Sequence, residues 1–326
     1  MHFLTNRAKG RNMMFTIRQQ LHNFGRVVFV ALLLFGSATL TAQRGPANAE
    51  TPRPGSRVQY KTYTSALLNQ ELRYGIYLPP SYETSGTRKY PVLYFLHGLG
   101  ENEMRWSTRG EGDAILDRMI AASEIGEFIV VAPVSSRDGF YSNARNGGAP
   151  WEDQLVKEFI PLIESAYRVD ATRTKRAISG ISMGGYGALK VAMKHPEMFS
   201  SVSAHSAALV PDFNTALPIV KQFFSLADTI YGVGINGPMP DFSYWDANNP
   251  LELAKSPAKL QGLKIYFDCG TEDNFGFFAG HKVLDDLLTK LKYDHTAGLY
   301  PGPHGWNFAK QHLRDSMLFH WRAFRP

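Results

Sequence analysis

Ala177-Ile178-Ser179-Gly180-Ile181-Ser182-Met183-Gly184-Gly185-Tyr186-Gly187-Ala188-Leu189 sets a serine in a G-x-S-x-G frame between an apolar run and a helix-forming one. In order, the stretch reads as a strand, a sharp turn and a helix. A turn that tight holds the serine in strained backbone and leaves no room for a side chain at Gly180 or Gly184. It lifts the Ser182 hydroxyl into solvent. It also aims the Met183 amide and a helix N-terminus at the oxygen that becomes negative in acyl transfer. In isolation the frame reads equally well as a packing turn, so its surroundings decide.

Working outward, short apolar, β-branched or aromatic runs at 72–78, 92–96, 128–132, 176–179, 201–205, 263–269 and 296–300 read as strands. Helical periodicity fills 151–167, 183–195, 281–291 and 306–324. Alternation of this kind predicts an α/β fold with a mainly parallel sheet of about eight strands, helices on both faces and a small lid or none. Sites in such sheets form at the carboxyl ends of the strands, where Ser182 falls. No repeat, linker or charge run divides residues 50–326, which reads as a single domain.

A hydrolytic serine needs an acid and a base, and in α/β-hydrolases, where the serine sits on such a turn, they follow in the order Ser, Asp or Glu, His. Asp273 stands in Gly270-Thr271-Glu272-Asp273-Asn274 just past a strand end, with Glu272 and Asp268 as fallbacks. His304 stands in Pro301-Gly302-Pro303-His304-Gly305-Trp306 before the last helix, where it reads as the general base. Activity then rises with pH as His304 loses its proton. The other histidines, His195 at a helix end among them, read as surface or packing residues. The second oxyanion donor is expected from Leu96-His97-Gly98-Leu99-Gly100, at the amide of Leu99 or else of Gly98. Trp106, Trp151, Trp245 and Trp306 are candidate pocket residues, although core packing explains several aromatics equally well.

The chain carries a formal charge of +6, and its location matters more than its size. Residues 1–49 hold six of the 35 basic residues and none of the 29 acidic ones, so the remainder is balanced. The excess therefore belongs to a leader, and nucleic acid is not an expected partner. An uncharged apolar stretch at 27–40 followed by Ala47-Asn48-Ala49 reads as a signal peptide cleaved after residue 49, or after Ala42, with the product periplasmic or secreted. That stretch is shorter than the roughly 20 residues that span a bilayer core, so no stable membrane anchor is expected. Cys269 is the only cysteine, which excludes an intrachain disulfide, and no H-e-x-x-H pattern points to a metal. Gly232-Val233-Gly234-Ile235-Asn236-Gly237 matches a dinucleotide motif, but Pro238 and Pro240 follow where that motif needs a helix. No cofactor is expected. The segment 207–257 reads as a small helical excursion over the site.

Gly148-Ala149-Pro150-Trp151-Glu152, Arg176 to Gly187 around Ser182, and Tyr244-Trp245-Asp246-Ala247-Asn248-Asn249-Pro250-Leu251 resemble the esterase D / putative esterase family. That family includes S-formylglutathione hydrolases, tributyrin esterases, feruloyl esterases and mycolyltransferases. The resemblance implies an α/β-hydrolase fold with Ser182 as nucleophile, Asp273 as acid, His304 as base, and the Leu99 and Met183 amides as oxyanion donors. It implies a carboxylic-ester hydrolase; the aromatic residues and the expected export put carbohydrate-linked acetyl or feruloyl esters ahead of simple short-chain esters as substrates. Two other classes are an acyltransferase to a carbohydrate hydroxyl and a catalytically silent binding module.

Overall fold

The computed structural model describes residues 51–145, 147–212, 242–260 and 262–325. The expected leader at 1–49, the glycine-rich loop at 232–237 and most of the excursion at 207–257 lie outside them. Eight strands form one sheet: β1 (Val58–Ser65), β2 (Gln70–Tyr77), β3 (Val92–Leu96), β4 (Ile129–Pro133), β5 (Arg176–Ile181), β6 (Ser201–His205), β7 (Lys264–Gly270) and β8 (His295–Tyr300). Their spatial order is β1-β2-β4-β3-β5-β6-β7-β8. β1 and β2 form an antiparallel hairpin, β2 meets β4 antiparallel, and every later pairing is parallel.

All seven strands expected from the sequence form, with ends shifted by no more than two residues. β1 is the addition. Its residues VQYKTYTS are mostly half-buried or exposed, as befits an edge strand, so it lacks the apolar run that marks the inner strands.

Alternation along the inner strands divides the core. In β3, Val92, Tyr94 and Leu96 belong to one apolar cluster, while Leu93 and Phe95 belong to the other. The first cluster takes in α3 (Met183–Lys194) and α4 (Phe277–Lys290), together with a helical run that ends in α2 (Ile160–Ala166). The second takes in α1 (Gly112–Ala121) and α5 (Trp306–Phe324). Helices thus cover both faces. The run before α2 holds a π-helical turn, Gln154–Phe159, between Trp151–Asp153 and α2. α4 begins at Phe277, a turn earlier than expected, because Gly276 takes the left-handed conformation (φ 75°) that launches it.

The interior also holds neutral imidazoles. Burial pushes His97 and His320 from the ordinary 6.5 down to about 4 and about 3, and moves His281 in the same direction. An unfolded chain protonates these groups near 6.5 while the fold does not, so it binds more protons once the pH drops below that value. Their contribution is complete above pH 6.5 and is lost as the pH falls toward 4. Thermal denaturation between pH 8 and 4 should show Tm level above pH 7 and declining below about 6.5; a Tm that stays level to pH 5 contradicts this.

Candidate active site

β5 ends at Ile181 and α3 begins at Met183, leaving Ser182 alone in the turn at φ 55° and ψ −118°. A non-glycine residue is strained there, and the surroundings hold it. The Ser182 amide donates to His205 O at 2.9 Å, and Ser182 O accepts from the amides of Tyr186 and Ala208. The two flanking glycines are required by space: a Cβ at Gly180 would lie 2.2 Å from Gly184 O, and one at Gly184 would lie 2.0 Å from Leu96 O.

The loops after β7 and β8 are laced together. Thr271 N donates to Tyr300 O and Glu272 N to Gly302 O. A Cβ on Gly270 would lie 2.1 Å from Gly302 O, and Gly302 itself has φ 143°. This close approach sets Asp273 beneath His304. Asp273 Oδ1 accepts the Phe275 amide at 2.9 Å, and Oδ2 lies 2.7 Å from His304 Nδ1. His304 Nε2 lies 3.0 Å from Ser182 Oγ. An ionised Asp273 only accepts, so the ring proton sits on Nδ1 and Nε2 is left to accept from the serine hydroxyl. Phe275 and Phe277 meet the imidazole edge-on at 4.8 and 5.5 Å between ring centres and restrain its plane.

Of the fallback acids, Glu272 is exposed. Asp268 is buried and engages His205, Oδ2 to Nδ1 at 2.8 Å. His205 Nε2 in turn meets Ser316 Oγ at 3.0 Å. This second Ser-His-Asp chain lies wholly within the core, where no substrate reaches it.

The loop after β3 supplies backbone donors. His97 Nε2 accepts the Ser135 amide at 3.0 Å, so the proton is on Nδ1, which donates to Gly98 O at 2.9 Å. The Glu101 amide also donates to Gly98 O, at 3.2 Å. In a planar trans peptide, a carbonyl pinned on one side directs the next N–H to the other. The Leu99 amide is oriented in this way. The Gly98 amide donates to Glu101 Oε2 at 2.9 Å and is thereby occupied. Met183 is the first residue of α3, and its N–H has no intrahelical acceptor.

Ser182 and His304 open into a cleft walled by Leu99, Phe140, Phe275, Phe277 and Trp306. Of the four tryptophans singled out from sequence, Trp306 lines this cleft. The other three pack in the interior. Trp106 is buried beside Phe95 and Tyr77, and it closes over Gly112, where a Cβ would lie 2.3 Å from its indole. Trp151 and Trp245 are buried as well, Trp245 within the first cluster.

Two features escape the sequence reading. Phe140 and Tyr141 both adopt left-handed backbone, φ 49° and 53°. The fully buried Lys190 ammonium holds that turn, donating to Tyr141 O and Ser142 Oγ at 2.6 Å each and pairing with Glu152 at 3.0 Å. Burial pushes Lys190 down to about 8 against the pull of Glu152. Burial acts to raise Glu152, but Lys190, His195 and Lys194 outweigh it and hold the carboxyl well below its usual range. The second feature is Glu101, whose other oxygen accepts the Trp306 indole N–H at 2.6 Å.

Among the described residues no group of three or more His, Cys, Asp or Glu is placed to hold a metal, and no helix is long and apolar enough to cross a membrane.

A solved ferulic acid esterase superposes with a TM-score of 0.69 at 28% identity, covering 82% of this chain and 99% of that one. S-formylglutathione hydrolase from Agrobacterium tumefaciens shares the fold, with a TM-score of 0.69 at 20% identity and coverage of 84% and 98%. An esterase of Mycobacterium tuberculosis is 29% identical over 265 residues, 76% of this chain and 56% of the relative. The chain thus spans about half the length of that curated relative. The family described as Putative esterase matches residues 65–319, from the end of β1 to within α5. With that match enclosing the Ser182 turn and an α/β-hydrolase sheet beneath it, the chain belongs to the Putative esterase family.

Proposed function

We propose that the protein is an exported serine carboxylesterase that works through an acyl-enzyme. The observation that carries this reading is the hydrogen-bonded line Ser182–His304–Asp273 at the foot of an apolar cleft. Ser182 Oγ attacks the ester carbonyl carbon as its proton passes to His304 Nε2. The carbonyl oxygen takes the negative charge and is held by the Leu99 and Met183 amides. Collapse expels the alcohol, which leaves with the proton from Nε2. Water then gives a proton to Nε2, attacks the acyl carbon and releases the acid, and the proton returns to Ser182. Asp273 keeps the imidazole in the tautomer that accepts from serine and stabilises the imidazolium.

The aromatic walls from Phe140, Phe275, Phe277 and Trp306 suit a flat or short acyl group with no charge. The ferulic acid esterase among the relatives supports carbohydrate-linked feruloyl or acetyl esters as the substrate class. Export rests on the basic, then apolar, then Ala-x-Ala composition of residues 1–49, which leaves 50–326 as one esterase domain.

The test is hydrolysis of p-nitrophenyl esters from acetate to long acyl chains, beside methyl ferulate and acetylated xylan, with the Ser182→Ala protein as the blank. The reading expects serine-dependent turnover, highest on acetyl or feruloyl esters. Turnover equal to the blank on every ester would overturn it.

A further inference from the structure

Glu101 is an acid in a glycine-rich turn, a setting that ordinarily means a solvated loop carboxylate. Here it faces inward onto the cleft, and each of its oxygens is used. Oε2 accepts the Gly98 amide at 2.9 Å, while Oε1 accepts the indole N–H of Trp306, 205 residues further along, at 2.6 Å. Its own amide donates to Gly98 O. Glu101 therefore grips Gly98 from both sides, its side chain on the N–H and its backbone on the C=O. Its backbone thus holds the peptide that carries the Leu99 donor, and its side chain holds the peptide immediately before it.

The second oxygen reaches a different part of the site. Trp306 opens α5 two residues after His304, and its ring rests on Phe95 at 5.9 Å between ring centres. A Cβ at Gly110 would come within 2.6 Å of it, so Gly110 leaves the space the indole occupies. Those contacts support the ring, and the bond to Glu101 fixes how it turns toward the cleft. Hydrogen bonds to a carboxylate are short and directional, so one side chain holds a donor loop and a pocket wall in fixed relation.

On the esterase reading above, we propose that Glu101 is a positioning and specificity-determining residue that couples the oxyanion loop to the Trp306 wall, so that acyl selectivity and transition-state stabilisation are set together. Such coupling makes a distinct demand on variants. Glu101→Gln keeps shape but offers one carbonyl oxygen, so one of the two bonds is lost whichever way the amide turns. Trp306→Phe removes the indole N–H and keeps an aromatic wall.

The experiment measures kcat and KM across p-nitrophenyl esters of increasing acyl length for the wild type, E101Q, W306F and the double variant. E101Q is expected to lose about tenfold in kcat with KM on the acetate within about twofold, and to shift the preferred acyl length. The double variant should lose clearly less than the product of the single losses, because both variants cut one shared interaction. Wild-type turnover and its loss in Ser182→Ala test the esterase reading separately. A wild-type kcat and acyl profile in E101Q, or single losses that multiply in the double variant, would overturn the coupling. The NMR signal of the Trp306 indole proton, assigned by its disappearance in W306F, gives a readout independent of turnover. It should move in E101Q, and an unmoved signal would overturn the clamp.

Discussion

Ser182→Ala should lower ester turnover by about 10⁵-fold and leave the protein folded, with Tm within about 2 °C of the wild type. The two halves of this result have separate causes. The backbone of Ser182 is held by His205 O, Tyr186 N and Ala208 N, none of which touches its side chain. The hydroxyl meets His304 Nε2. Removing it therefore costs no backbone bond and leaves the strained φ of 55° as it was. What disappears is the acyl acceptor, and the residual rate comes from the oxyanion donors and binding alone. Steady-state kcat on p-nitrophenyl acetate and thermal denaturation check both halves. A variant within tenfold of wild-type kcat would move the nucleophile elsewhere.

Asp273→Asn should cost about 10⁴-fold in kcat with little change in KM, and the geometry gives the reason. The Phe275 amide donates to Asp273 Oδ1, so an asparagine here must keep its carbonyl oxygen at that position. Its NH₂ then faces His304 Nδ1 across 2.7 Å, where two donors cannot meet. The imidazole responds by placing its proton on Nε2, which points it at Ser182 Oγ and ends its use as a base. Turning the amide over restores the imidazole but leaves the Phe275 N–H opposite a donor. The first outcome disables the base, the second costs the Phe275 N–H its acceptor and loosens the loop that seats the acid, and neither removes a buried side chain. A kcat within tenfold of the wild type for Asp273→Asn would show that Asp273 does not set the tautomer.

The sequence carried the site further than it carried the pocket. Ser182, Asp273 and His304 are legible because each follows a strand end in a turn rich in glycine or proline, and because their order along the chain matches the order of strands β5, β7 and β8. Local chemistry and topology agree there. The tryptophans show where that agreement stops. Trp106 lies ten residues beyond the end of β3, near the donor loop in sequence, yet it turns into the core because Gly112 leaves it a seat. No periodicity in its neighbourhood encodes that choice. Glu101 is the reverse case, a loop acid whose partner Trp306 is set by the fold alone. Lys190 and Glu152 belong to the same class: each sits on a helical stretch that reads as partly polar, and only packing shows that their charges meet in the interior. β1 escaped because Lys61 and its neighbours face solvent at a sheet edge, where selection for apolar residues is weak.

The account stands on a covalent acyl group at Ser182, and trapping it is the most direct measurement. Mixing the protein with excess p-nitrophenyl acetate, quenching in acid within the first turnovers and mapping peptides by mass spectrometry should find one acetyl group on the peptide containing Ser182. The group should be absent from Ser182→Ala and chased by time in the wild type. Steady release of nitrophenol with no acyl group on that peptide, or an acyl group on another residue that turns over at the same rate, would contradict it.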